Sequence, residues 1–220
     1  MREGKGNWRR MARAVSAGRR RVSVLALGLE LGLGPGGLWP PSHLAAAVQS
    51  PLEVIRARNV AVERIVRSAG EEPDAQTRER LKDAINGLID FRELSRRALG
   101  RHWEGRSEQE RADFVRVFRD LIRNSSVKKL SIYKADRVTY EQGEVRDGRV
   151  DVTTLAYKGR KAVEIVYRMH RTDGGWKVYD MVVDGASTAR TYRDSFYKEI
   201  AATSYAAMYE KLVNKLAEES

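Results

Sequence analysis

Reactive side chains are few in this sequence, and their spacing does not favour catalysis. The three histidines, His43, His102 and His170, lie far apart, and no pair has metal-ligand spacing. There is no cysteine, which removes thiol nucleophiles and disulfides. An oxidising compartment stays open, because a domain of this size needs no covalent staples. No Gly-x-Ser-x-Gly elbow and no phosphate-cradling glycine loop occurs. Gly185-Ala-Ser187 carries one glycine of that elbow, and Ser187 reads better as a turn or cap residue. One acid stands out. Asp180 follows Tyr179, and a carboxylate held in a cupped α+β fold can act as a general base if burial raises its pKa. That reading makes the protein a small isomerase or hydrolase with Asp180 turned inward. The competing one makes Asp180 a structural acceptor, pairing with Arg193 where a strand meets a helix, and it is the one favoured here. His102, beside Trp103, reads as a satisfied turn residue. No catalytic residue, metal site or cofactor is expected.

The elements that would position these residues divide into a helical half and a sheet half. Pro51 suits a helix first turn, and Leu52, Ile55, Val62, Ile65 and Val66 follow the helical repeat. Asp74 caps a second helix carrying Leu81, Ile85, Leu88 and Ile89, and Asp90 caps a short third one ended by Gly100. Ser107 and Glu110 form a capping box opening a fourth helix, with Phe114, Val117, Phe118, Leu121 and Ile122 inward. After Lys128 the period becomes two. Strands are expected over 137–145, 149–157, 161–170 and 176–183, joined by glycine turns into an antiparallel meander. A long helix over 192–216 closes the chain. Val163, Ile165, Tyr167 and Met169 share one strand face, and the same parity in the next strand collects Tyr179, Met181 and Val183. One apolar face needs a cover, and the helices supply it. The expected fold class is α+β: a curved four-stranded antiparallel sheet under several helices. Tyr and Met are heavily used on that face, which suits either an adaptable cavity wall or an ordinary core.

Composition adds a boundary. The 220-residue chain has a net charge of +11, but residues 1–47 alone hold eight basic and two acidic side chains, which leaves only +5 for the rest. That balance argues against nucleic acid as a partner. Residues 1–47 read as an export leader: a basic start, an apolar run over 22–33, and a small-residue cleavage site ending at Ala47. Arg19-Arg20-Arg21 is a weak sign of the twin-arginine route. No other stretch approaches the roughly 18 apolar residues of a membrane span, so residues 48–220 are expected to form one soluble domain.

The segment Trp176-Lys-Val-Tyr-Asp180, then Gly185-Ala-Ser187, then Tyr192-Arg-Asp-Ser-Phe196, resembles the C-terminal signature of the MlaC, or toluene-tolerance, family. A second similarity runs from Ile89 to Trp103 and on through Glu110, Phe114 and Phe118. Thr188, Thr191 and Ser195 depart from the family pattern. The resemblance implies a periplasmic phospholipid carrier serving outer-membrane lipid asymmetry, with two docking partners: an inner-membrane lipid-transport complex and an outer-membrane lipoprotein–porin complex. It favours the cavity reading, with Val163, Ile165, Tyr167, Met169, Tyr179, Met181 and Val183 as wall and Phe114, Phe118 and Phe196 as roof. A hopanoid or other polycyclic lipid is the alternative cargo. Arg116, Arg119, Arg123, Lys128 and Lys129 could dock partners or form a solvated helix face, and the second reading is slightly preferred.

Overall fold

A computed structural model of the chain describes residues 49–69, 73–127 and 133–219. The expected leader over 1–47 with its cleavage after Ala47, and Lys128 and Lys129, lie outside the described residues.

Helix starts follow their caps. α1 (Pro51–Ser68) begins after a capping box in which Ser50 accepts from the Glu53 N–H while the Glu53 carboxylate takes the Ser50 N–H. Asp74 caps α2 (Ala75–Asn86) through the Thr77 N–H, and Asp90 caps α3 (Phe91–Leu99) through that of Glu93. The Ser107–Glu110 box opens α4 (Glu108–Ser126) as expected. Each cap satisfies backbone donors that have no partner inside the helix. Leu88 and Ile89 are not in α2, which ends at Asn86. Instead the chain runs beside the sheet: Val178 donates to Leu88 O and Asp90 donates to Val178 O, both at 2.8 Å.

The strands are β1 (Arg137–Gln142), β2 (Arg149–Lys158), β3 (Lys161–Thr172) and β4 (Gly175–Val183), an antiparallel meander with a two-residue β5 (Ala186–Ser187) added at the edge. The sheet is thus five-stranded rather than four. β1 stops at Gln142, short of the expected Val145, which is exposed. The β4–β5 turn is tight because Asp184 and Gly185 both take positive φ, 47° and 82°. After β5 come α5 (Thr188–Ala202) and α6 (Tyr205–Glu218), not one helix over 192–216. Thr203 and Ser204 break it. Thr203 bonds back to Glu199 O, and Ser204 caps α6 through the Ala207 N–H. Short hydroxylated side chains compete with the helix for backbone partners, and here they win.

A β-bulge decides which side chains face inward. Ile165 opposes Val183 and Tyr167 opposes Met181, but Met169 opposes Val178, so Tyr179 is the extra residue. The parity of β4 reverses there. Trp176 and Val178 therefore join Val150, Val152, Tyr167 and Met169 on the inner face, against Ile55 of α1. Tyr179 goes to the opposite face, edge-on to His170 and under the Arg97 guanidinium, 4.1 Å from its ring centre.

A second core lies among α3, α4, α5 and α6. Phe114, Phe118 and Phe196 form its centre, with ring centroids 5.5–5.7 Å apart. At the β4–α5 junction Asp180 is buried, 3% exposed. It accepts from Ser187 Oγ (2.7 Å), the Ala189 N–H (2.9 Å) and Arg168 Nη1 (3.2 Å). Its ionic partner is Arg168, not Arg193, which lies 3.5 Å from Asp194. Two outcomes follow. Asp180→Ala removes three acceptor contacts and leaves a cationic partner, so it should cost about 3 kcal/mol in urea unfolding. Phe118→Ala should cost about 3–5 kcal/mol with the m-value unchanged.

Candidate functional site

The inner face of the sheet is covered by α1 at one end and approached by α2, α4 and α5 at the other. Between these covers lies a cleft of about 480 Å³. Ile165 and Tyr167 of β3 and Met181 and Val183 of β4 form its floor, and Ile85, Ile122 and Tyr192 form its helical walls. Ala186 and Thr188 stand where the chain turns from β5 into α5. The adjacent strands bring the four floor residues together because Ile165–Val183 and Tyr167–Met181 are direct cross-strand pairs.

The cleft is more apolar than its residue types suggest. Ser125, Ser126 and Thr191 also line it, yet each hydroxyl is turned to its own helix: Ser125 donates to Ile122 O, Ser126 to Arg123 O and Thr191 to Ser187 O, at 2.7–3.0 Å. Hydroxyls engaged this way show mainly their carbon atoms to neighbours. The Tyr192 phenol is pushed up in pKa, first by burial and then by Glu219, so it stays neutral.

Of the residues expected in the wall, Ile165, Tyr167, Met181 and Val183 line the cleft. Val163 and Met169 pack in the sheet core beside it. Phe114, Phe118 and Phe196 do not line the cleft; they sit one layer back, in the core that Ile122, Met181 and Tyr192 share with it, and the Tyr192 ring is 4.8 Å from that of Phe118. They brace the wall rather than form a roof, because α4 and α5 turn these rings toward α3 and α6. Tyr179 is outside altogether, displaced by the bulge.

Sequence periodicity overlooked Arg58 and Tyr133. Arg58 is buried on α1 between Ile55 and Val62 and occupies their stripe. An arginine three residues after one core position and four before the next was the available signal. Its Nε and Nη2 donate to Ile85 O, Nη1 to the Tyr167 hydroxyl and Nη2 to the Tyr133 hydroxyl, the last two at 3.3 Å. Ile85 O is among the last carbonyls of α2, which lack partners inside the helix and carry its partial negative charge. Tyr133 and Tyr167 both border the cleft.

Among the described residues, the candidates for catalysis are engaged structurally. Asp180 alternates with Met181 along β4 and lies on the face away from the cleft, its oxygens engaged by Ser187, Ala189 and Arg168. His170 is held by Asp90 at 3.0 Å and His102 stacks edge-on with Tyr197. Among the described residues no group of three His, Asp or Glu side chains could hold a metal ion, and no helix is long and apolar enough to cross a membrane. Arg116, Arg119 and Arg123 each reach a carboxylate, Asp113, Asp120 and Asp83, at 2.8 Å, as on a solvated helix face.

Comparison with known proteins agrees with this architecture. The phospholipid-binding protein of Ralstonia solanacearum, solved in complex with a phospholipid, superposes with a TM-score of 0.64 at 20% identity. The match covers 78% of this chain and 99% of that one. No curated protein matches the chain. The family model described as MlaC protein matches residues 57–216, from within α1 to within α6, and the chain therefore belongs to the MlaC family.

Proposed function

We propose that this protein is a periplasmic carrier that holds phospholipid acyl chains in the β3–β4 cleft and shuttles lipid between inner- and outer-membrane complexes. The observation that carries the reading is a cleft floored mainly by Ile165, Met181 and Val183, with the Ser125, Ser126 and Thr191 hydroxyls bonded back to their own helices. Such a surface can receive hydrocarbon without stranding those three hydroxyls. Family membership and the likeness to a protein solved with phospholipid support the same reading.

The mechanism is a matter of solvation. Each methylene costs about 0.8 kcal/mol to expose to water, so a soluble carrier must enclose most of a tail. The charged head group gains from remaining hydrated at the mouth. At roughly 30 Å³ per water-sized group, 480 Å³ accommodates about 16 such groups, close to one acyl chain. A second tail therefore requires α4 and α5 to swing from the sheet, and the same motion provides release. The leader over 1–47 would direct export. The docking partners are an inner-membrane lipid-transport complex and an outer-membrane lipoprotein–porin complex.

Native mass spectrometry of the exported protein, purified without detergent, should show a one-to-one adduct of phospholipid mass. A polycyclic-lipid mass would keep the carrier and change its cargo, whereas no adduct after incubation with vesicles would refute the reading. Met181→Trp, which fills the cleft floor, should reduce lipid occupancy by more than half, measured on the same instrument.

A further inference from the structure

Arg58 is a cation whose burial the lipid reading does not explain. Only 9% of the residue is exposed, and its contacts are all to neutral groups: Ile85 O, Asn59 Oδ1 and the hydroxyls of Tyr133 and Tyr167. Its carbon Cζ also lies 5.4 Å from the Tyr167 ring centre. Among the described residues no carboxylate reaches it. Glu63, on the wall of a small neighbouring void that Tyr133 and Tyr167 also line, is committed to Arg67 at 2.6 Å. The end of α2 offers only a partial negative charge. A buried charge without a counter-charge is costly, and an anion placed beside it would relieve that cost.

The two phenols are placed to receive one. Each hydroxyl oxygen accepts from Arg58, which leaves its own proton to donate, and among the described residues neither proton has an acceptor. Both side chains border the cleft. Burial pushes the Tyr133 phenol up to about 12, so it is a neutral donor at physiological pH. Two O–H groups that accept from neighbouring nitrogens of one guanidinium can each donate to one oxygen of a carboxylate, and hydrogen bonds to an anion are the short, strong kind. A neutral ester carbonyl would accept the bonds but leave the charge unanswered. The room available, close to one acyl chain, fits a single-tailed lipid without any opening.

From this geometry we infer that Tyr133 and Tyr167, backed by Arg58, form an oxyanion site through which the cleft takes a free fatty acid, carboxylate inward and tail toward the mouth. The site uses the cleft of the proposed carrier but asks for a different class of ligand, in the opposite orientation to a phospholipid with its head outside.

The test compares palmitate with methyl palmitate, matched in chain and different in charge, each delivered from cyclodextrin and measured by equilibrium dialysis. Palmitate should bind at least tenfold more tightly than the ester. In Tyr133→Phe/Tyr167→Phe, which keeps both rings and removes both hydroxyls, that ratio should fall toward one. If that variant does not fold, Tyr133→Phe alone should lower the ratio. Equal binding of the two ligands by the unmodified protein, or a ratio unchanged in a folded variant, overturns the inference. Phosphatidylglycerol, run in parallel by native mass spectrometry, separates the two readings: its retention alongside equal palmitate and ester binding would refute the fatty-acid site alone. Failure of all three ligands to bind would remove the carrier reading as well.

Discussion

The cleft depends on how α5 leaves the sheet, and one carboxylate sets that angle. Asp180 takes a hydrogen bond from Ser187, whose hydroxyl also caps α5, and another from the Ala189 N–H in the first turn of the helix. Its third contact, to Arg168, ties the junction to the neighbouring strand. The first turn of α5 is thus bound to the face of β4 opposite the cleft. Thr188, Thr191 and Tyr192 then come round the sheet edge to form the near wall. A helix N-terminus is electropositive and has free N–H groups, so a buried carboxylate there is stabilised by the structure that it organises.

The residue beside Asp180 matters as much. By taking Tyr179 out of the ladder, the bulge lets β4 present Trp176 and Val178 to the α1 core and, past the bulge, Met181 and Val183 to the cleft. The strand therefore serves a closed core and an open one on the same face. The closed region is filled by α1, whose Ile55 packs against the sheet core. The open region persists because α4 and α5 direct Phe114, Phe118 and Phe196 into the other core, among α3 and α6, and leave only Tyr192 of their aromatic rings at the cleft wall. Had Phe114 and Phe118 pointed at the sheet, they would have filled the space.

Between the two regions stands Arg58. It joins α1 to the end of α2, to Tyr133 and to β3, so four segments share one charged group. A salt bridge buried at such a point often contributes little net stability, since desolvation offsets attraction. Here the attraction comes from a helix terminus and two phenols instead of an acid. The result is a fixed polar boundary at the inner end of an otherwise apolar cleft.

Much of this was legible in the chain. Caps at Asp74, Asp90, Ser107 and Ser187, the switch from helical to alternating period, and the glycine turns follow from local rules, and local interactions dominate there. The order of helices and strands points to the α+β class, and the motifs at Trp176–Phe196 and Ile89–Phe118 point to the family. The apolar face of β3 was also readable, since one strand's alternation needs no knowledge of its neighbours. What the residues alone did not reveal was pairwise. The bulge exists only as a mismatch between β3 and β4, so strand alternation alone puts Tyr179 on the wrong face. The break at Thr203–Ser204 is set by competition between helix continuation and capping. Whether Phe118 meets the sheet or another helix depends on the rotation of α4 about its axis. Arg58 looked like a polar interruption of an apolar stripe until Ile85, Tyr133 and Tyr167 were brought around it. Local patterning determined which elements form; the packing of one against another decided which side chains are left facing empty space.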